Sequence, residues 1–243
     1  MLSICGCPRS GTTALTSLLN CDPRLFILQE NRLLSHWDTK IEKGIFLNDP
    51  IKFELLRKKG IDPESISYPI SGKALSKLML SVKDVELIGD KLPRRYLYSF
   101  EELNSKFNNL KNIICLRDGR AVIASQIRKW NSGHRSVYTF PDVETAQQMW
   151  LRAAKKLSRI SSSISNILIV RYEDSVSQPE YSLRRIYDFL NLPFNPEMLV
   201  GSKYYPTHVN TWREELPDIE KDLSDEFKHY LQLFGYPLTK NFV

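Results

Sequence analysis

The chain has 243 residues, of which 42% are hydrophobic and 26% are charged, proportions typical of a soluble globular domain. Its formal net charge is +6, which favours an anionic ligand, and the lack of an arginine-rich run or a zinc-finger spacing argues for small anions rather than nucleic acid. No apolar run approaches the length of about 18 residues that a membrane-spanning helix requires, so a membrane span is not expected.

The first predicted elements are a strand at residues 2–5, a glycine-containing loop and a helix over residues 12–20. This order points backbone N–H groups and a helix N-terminus at a phosphate. The glycine spacing is that of the nucleoside-triphosphate P-loop, but Thr12 occupies the position of its lysine. Arg9 lies within the loop and indicates that the anionic ligand bound there is not a nucleoside triphosphate. The loop is therefore predicted to bind a nucleotide other than ATP.

Further apolar runs predict more strands, and helical patterns lie between them. The strands are predicted at residues 25–28, 86–88, 112–116 and 166–170, and the helices at residues 72–82, 96–107, 120–130, 143–162, 181–190 and 219–234. Such alternation is typical of a parallel sheet that is buried on both faces. We expect an α/β fold with a single doubly wound domain over residues 1–243, a central parallel sheet flanked by helices, and a P-loop-type nucleotide site. Residues 40–85 are interpreted as a helical insertion.

A second anion site is indicated where the strand at residues 112–116 ends. Arg117 follows that strand, and the next helix carries Ser125 and Lys129 one turn apart on the same face. An arginine, a hydroxyl and a lysine that converge on one point can bind a second phosphate. A strand-end arginine beside a solvated helix face is the alternative that these residues alone leave open.

The strand at residues 166–170 is followed by Tyr172, which can stack on a nucleotide or simply pack in the core. Taken together, these segments resemble the sulfotransferases that use 3′-phosphoadenylyl sulfate (PAPS). Residues 8–13 look like their 5′-phosphosulfate loop, and residues 116–120 with Ser125 look like their 3′-phosphate motif. Residues 171–190 are similar to their Arg-Tyr-Glu-Asp-Leu…Pro…Phe-Leu segment. Three motifs in this order form a specific signature.

The arrangement of Glu30, Arg32 and Lys91 is similar to that in the tyrosylprotein sulfotransferase branch. The resemblance implies that Glu30 is the general base and that Lys91 and Arg32 assist transfer of a sulfuryl group. The acceptor is then a hydroxyl of a carbohydrate, a small molecule or a peptide tyrosine, and the insertion at about residues 40–85 lies on the acceptor side. Donor contacts are implied for the following residues: Arg9, Ser10, Gly11, Thr12, Thr13, Arg117, Ser125, Lys129 and Tyr172. The donor is PAPS, PAP (3′-phosphoadenosine 5′-phosphate) is the product, and no metal is expected.

Two other functions stay open. A P-loop kinase or NTPase needs the missing lysine and a Mg²⁺-binding aspartate at a strand end, for which Asp90 is the nearest candidate. A non-catalytic nucleotide-binding protein on the same fold is the second alternative. Among the histidines, His36 and His208 are the ones to consider as another base, although neither has a partner carboxylate in the sequence.

The chain is expected to be cytoplasmic. The first strand begins at residue 2, which leaves no room for a signal peptide, and the four cysteines show no zinc-ligand spacing. Free thiols are the usual form of cysteine in a reducing compartment. Oligomeric state cannot be inferred from these residues.

Overall fold

A computed structural model describes residues 1–43, 50–160, 166–196 and 209–238 of the chain. The strands are β1 (Leu2–Gly6), β2 (Leu25–Gln29), β3 (Lys40–Ile41), β4 (Ile70–Ser71), β5 (Leu87–Lys91), β6 (Lys111–Leu116) and β7 (Ile167–Arg171). The helices are α1 (Thr12–Leu19), α2 (Pro50–Lys58), α3 (Gly72–Leu80), α4 (Pro93–Tyr98), α5 (Phe100–Lys106), α6 (Gly119–Asn131), α7 (Val143–Ile160), α8 (Tyr172–Ser177), α9 (Pro179–Leu190), α10 (Trp212–Glu215), α11 (Ile219–Asp222) and α12 (Asp225–Leu233).

Five of the strands form a parallel sheet in the order β2-β5-β1-β6-β7. From β1 the chain crosses to the edge strand β2, returns to β5 beside β1 and continues on the other side of β1 with β6 and β7, so the loops after β1 and its neighbours part at the carboxyl edge of the sheet. Open α/β sheets bind their ligands at such a switch point. The doubly wound parallel fold predicted from the alternating apolar runs is confirmed.

Alternation along the strands supplies the apolar layers on the two faces of the sheet. Leu2 and Ile4 of β1 face the layer formed with α1 and α9, whereas Cys5 faces the layer formed with α4, α5 and α7. The second layer centres on Trp150, whose ring lies 4.5 Å from that of Phe227. With both faces covered, the strands become the buried apolar runs that the sequence shows.

The region interpreted as a helical insertion at residues 40–85 contains α2 and α3. It also contains a two-stranded antiparallel ribbon, in which Lys40 lies opposite Ser71, that the sequence analysis did not anticipate. Each of its strands has two residues, which is too short for a hydrophobic pattern to reveal. Within the described residues, no helix combines the length and the apolar character needed to cross a membrane.

Two predicted helices are interrupted and one predicted strand is longer than expected. The pattern at residues 96–107 is broken at Ser99, and the pattern at residues 219–234 is broken before Ser224, whose hydroxyl caps α12 by accepting from the Phe227 amide. The strand predicted at residues 86–88 continues to Lys91. Its polar end was missed because Asp90 and Lys91, although ionisable, are buried.

Candidate active site

The loop after β1 is shaped to present backbone donors at the start of α1. Arg9 and Gly11 have positive φ values of 76° and 87°, and the Ser10 amide donates to the Cys7 carbonyl at 3.1 Å. No side chain of the described residues caps α1, whose N-cap residue is Gly11. The N–H groups of its first turn therefore lack intrahelical and capping partners and, with the helix dipole, suit a phosphate or sulfate.

The ends of β6 and β7 close over this loop. A guanidinium nitrogen of Arg117 donates to the Arg9 carbonyl at 3.0 Å, and the Arg117 guanidinium lies 4.4 Å from the centre of the Tyr172 ring. The same ring lies against Gly11, where an added Cβ would meet its Cδ2 at 2.3 Å. Three segments that are distant in sequence are thus packed into one wall.

Replacing Gly11 with alanine is expected to displace the Tyr172 ring and to lower PAP affinity at least tenfold. Gly60→Ala is the matched control, because Gly60 also has a positive φ, of 81°, but a Cβ there meets no atom within 4 Å. Both variants incur the backbone strain of about 1 kcal/mol, whereas only Gly11→Ala adds the clash. Calorimetric titration with PAP and urea unfolding of both variants measure the difference. Equal PAP affinity in the two variants would contradict this account of the wall.

Arginines gather beside the loop. Arg9 donates through Nε to the Ser125 hydroxyl at 3.1 Å. Desolvation, followed by the charges of Arg117 and Arg128, lowers the pKa of Arg9, and burial together with Arg128 lowers the pKa of Arg117. Like charges held this close oppose one another, so a bound anion would stabilise all three.

Most of the residues predicted to bind the second phosphate lie together beside the loop, and one further residue, Arg128, joins them. Ser125 is buried on α6 next to Arg9, and Lys129 lies one turn further along the helix, partly exposed. Arg128, which the sequence analysis did not select, interacts electrostatically with Arg9 and Arg117 and forms an ion pair with Glu215. Its spacing of three residues from Ser125 is the signal that could have identified it.

A second group of side chains lies across the loop, at the ends of β2 and β5. The Lys91 ammonium donates to Glu30 Oε1 at 2.6 Å and to Thr13 Oγ1 at 3.2 Å. Strand pairing explains this contact, because Gln29 lies opposite Lys91 in the parallel ladder and the Glu30 amide donates to the Lys91 carbonyl at 2.7 Å. The Lys91 side chain is 3% exposed and that of Glu30 is 49% exposed. A buried cation therefore connects the phosphate loop to an accessible carboxylate.

Arg32 and His36 lie beyond Glu30 on the same connection. Desolvation, Arg32 and Arg95 lower the pKa of His36, so its imidazole has two cationic neighbours, and its Nδ1 lies 3.0 Å from the Thr39 hydroxyl. His208 lies outside the described residues. Of the two histidines considered from the sequence, His36 is thus placed near Arg32.

Two of the open clefts in the described part of the chain border elements that carry or adjoin these groups. One, of about 1000 Å³, runs between α1 and α2 and meets the strand ends only at Gln29. The other, of about 590 Å³, borders α4, the helix that follows Lys91 directly. Its lining includes Arg94, Tyr98, Phe140, Met149 and Arg152.

Comparison with known proteins gives relatives over much of this chain. It is 28% identical over 209 residues to "Protein-tyrosine sulfotransferase A" of Caenorhabditis elegans, a match that covers 80% of this chain and 50% of the relative. The chain spans about half the length of the curated protein-tyrosine sulfotransferases that it matches.

The prediction of a cytoplasmic protein is wrong. The relatives are protein-tyrosine sulfotransferases, which are Golgi membrane enzymes. The prediction depended on where the sequence begins and on its cysteines, and neither observation determines the compartment.

Solved structures and a family profile agree with these relatives. The sulfotransferase domain from the curacin biosynthetic pathway superposes with a TM-score of 0.73 at 21% identity and covers 98% of both chains. A mouse sulfotransferase complexed with PAP gives a TM-score of 0.51 at 12% identity, covering 96% of this chain and 82% of the other. At these identities the structures establish the fold alone. The profile of the Sulfotransferase family matches residues 2–196. This match confirms the family predicted from the motifs, and the chain belongs to the sulfotransferase family.

Proposed function

We propose that this chain transfers a sulfuryl group from PAPS to a hydroxyl acceptor. The observation that carries the proposal is the position of the Lys91 ammonium, 3.2 Å from the Thr13 hydroxyl in the phosphate loop and 2.6 Å from the Glu30 carboxylate. One cation thus reaches both the place where a phosphosulfate would lie and a group able to accept a proton. Transfer needs the phosphosulfate and the proton-accepting carboxylate to lie within reach of the same acceptor oxygen.

The donor would lie across the wall formed by the loop and the strand ends. The amides at the start of α1, with Arg9, Ser10, Gly11, Thr12 and Thr13, suit the 5′-phosphosulfate. Arg117, Ser125 and Lys129, joined by Arg128, suit the 3′-phosphate, and the Tyr172 ring suits stacking on the nucleotide. The PAP complex of the mouse sulfotransferase supports PAPS as the donor class.

The chemistry then follows from the residues around the acceptor. The acceptor oxygen attacks sulfur while Glu30 takes its proton, the bond between sulfur and the phosphate oxygen breaks, and PAP leaves with that bonding pair. Negative charge that develops on the leaving oxygen is stabilised by Lys91, Arg32 and the loop amides. The proposed reaction requires no metal ion. Similarity to protein-tyrosine sulfotransferases supports a tyrosine hydroxyl as the first acceptor to test, and similarity to a carbohydrate sulfotransferase supports sugar hydroxyls beside it.

The groups around Asp90 give little support to the alternative of a P-loop kinase or NTPase. Its Oδ2 accepts from the Leu33 amide at 2.9 Å and from the Tyr96 hydroxyl at 2.6 Å, and its Oδ1 lies 3.4 Å from the Asn31 amide. A carboxylate engaged in this way has little capacity left for Mg²⁺. Thr12 in place of the P-loop lysine also disfavours a kinase or NTPase.

The test of the proposed function is nucleotide discrimination. PAP is expected to bind at least tenfold more tightly than ADP, because hydrogen bonds from charged groups to the 3′-phosphate contribute about 1.5–3 kcal/mol each. Arg117→Ala should abolish this preference, whereas Arg185→Ala, at an exposed arginine of α9, should retain it. Isothermal titration with both nucleotides measures the ratio. Equal affinity of the unaltered chain for PAP and ADP would refute the assignment.

A further inference from the structure

The connection after β2 has an unusual backbone. Glu30 and Arg32 both adopt left-handed conformations, with φ values of 60° and 59°, although neither is glycine. Such residues hold these conformations only where the surrounding structure enforces them. The two residues are those placed here in proton transfer and charge stabilisation. The groups that fix this turn therefore fix their directions as well.

Donors from this turn converge on the end of β5 and the start of α4. The Glu30 amide donates to the Lys91 carbonyl, and the Leu33 amide donates to Asp90 Oδ2 at 2.9 Å. The Leu34 amide donates to the Tyr96 hydroxyl at 3.2 Å, and this hydroxyl in turn donates to Asp90 Oδ2 at 2.6 Å. The two left-handed residues are thus held by amide contacts on either side.

Asp90 and Lys91 contact different parts of the turn after β2, because adjacent strand residues point to opposite faces of the sheet. The Lys91 side chain reaches the carboxylate of Glu30, whereas the Asp90 side chain reaches the backbone of the same turn. Asp90 is 0% exposed and Tyr96 is 1% exposed. Burial raises the pKa of Asp90 to about 7, although hydrogen bonds from Tyr96 and the turn amides oppose the increase. A carboxyl group in such an environment depends on these donors.

We propose that Asp90 and Tyr96 are positioning residues, which act on sulfuryl transfer by fixing the turn that directs Glu30 and Arg32. This inference rests on the proposed function, since it assigns a role relative to those two side chains. The Asp90–Tyr96 pair lies on the Glu30 side of the phosphate loop, opposite the arginines. Loss of the pair should therefore lower turnover and leave nucleotide binding unchanged.

Tyr96→Phe removes only the bridging hydroxyl, and Tyr187→Phe is its matched control. The Tyr187 hydroxyl also donates to a buried carboxylate, that of Asp22, at 2.8 Å. Asp22, however, precedes β2 and so lies at the amino ends of the strands, away from the phosphate loop. Tyr96→Phe loses the bond donated to Asp90 and the one accepted from the Leu34 amide, and Tyr187→Phe loses the bond donated to Asp22, so both variants should be less thermally stable. Asp90→Asn is the second test variant, because it exchanges one acceptor oxygen for a donor NH2 group and so cannot accept from the Asn31 amide, the Leu33 amide and the Tyr96 hydroxyl together.

The measurements are steady-state turnover with PAPS and a hydroxyl acceptor, PAP affinity, and amide hydrogen exchange. Tyr96→Phe and Asp90→Asn are expected to lower kcat about tenfold or more, since small misplacement of reacting groups is costly. Their PAP affinity should stay within about twofold of that of the unaltered chain, while Tyr187→Phe keeps normal kcat. Exchange at the Leu33 and Leu34 amides should become faster in the two test variants alone.

Normal kcat in Tyr96→Phe, or an equal decrease in Tyr96→Phe and Tyr187→Phe, would overturn the inference and leave the proposed function standing. If the unaltered chain bound PAP but transferred no sulfuryl group to any acceptor tested, the proposed function would be overturned and this inference with it.

Discussion

Replacing Glu30 with glutamine is expected to lower kcat by about 100-fold or more while PAP affinity changes little. Glutamine keeps the length and the oxygen that accepts from Lys91, but its neutral amide cannot take the acceptor's proton. The Glu30 side chain is 49% exposed and lies on a left-handed turn. An acceptor can therefore reach it without obstructing the phosphate loop. Turnover assays in EDTA, with calorimetry for PAP, measure both quantities and also exclude a contribution from Mg²⁺.

Glu54→Gln provides the control for this substitution. Glu54 forms an ion pair with Lys58 at 2.6 Å, the same separation as between Glu30 and Lys91, but on the exposed face of α2. It should show normal turnover. Near-normal turnover in Glu30→Gln would place the base elsewhere, with His36 and His208 the next candidates. A parallel loss of PAP binding would instead assign Glu30 a structural role in holding the loop.

The largest stability effect is expected from Arg120→Met. Arg120 is 1% exposed, forms ion pairs with Asp118 and Glu220, and lies 4.3 Å above the Trp212 ring. Its removal leaves two acidic groups without their buried counter-ion, which typically destabilises a protein by about 3–5 kcal/mol. The free energy of unfolding, from urea titration followed by circular dichroism, is the quantity to measure.

Arg184→Met is the matched control, because Arg184 forms its ion pair with Glu180 on the solvent-exposed side of α9. Such surface pairs contribute about 0–1 kcal/mol. Since Asp118 also caps α6 and its amide donates to Glu173 at 2.9 Å, loss of Arg120 should additionally weaken the wall that carries Arg117. A change no larger than in Arg184→Met would show that the buried network contributes little.

The fold and the phosphate loop could be predicted because their signals are local. Apolar runs identify buried strands, and the Gly6–Gly11 spacing identifies the loop. The motif resemblance also selected Glu30, Lys91 and Ser125, which the structure brings to the edges of that loop. Each of these signals extends over only a few consecutive residues.

The supporting groups could not be predicted because their partners are distant in sequence. Asp90 bonds to amides 57 and 59 positions away, and a hydrophobic pattern interprets a buried aspartate as the end of a strand. The left-handed backbone conformations of Glu30 and Arg32 could not be predicted, because neither residue is a glycine. Arg128 resembles any cation on a solvated helix until Arg9 and Arg117 are seen beside it.

The pairing of β2 with β5 has a consequence for how this enzyme family can diversify. Glu30 and Lys91 are 61 positions apart, yet the pairing of β2 with β5 brings them together. The intervening segment, with α2, α3 and the short ribbon, leaves the sheet at one point and returns to the adjacent strand. The part of this segment beyond the turn can therefore vary in length without changing the pairing of β2 with β5. If this segment lies on the acceptor side, as the motif resemblance implies, acceptor choice and transfer chemistry are set by different parts of the chain.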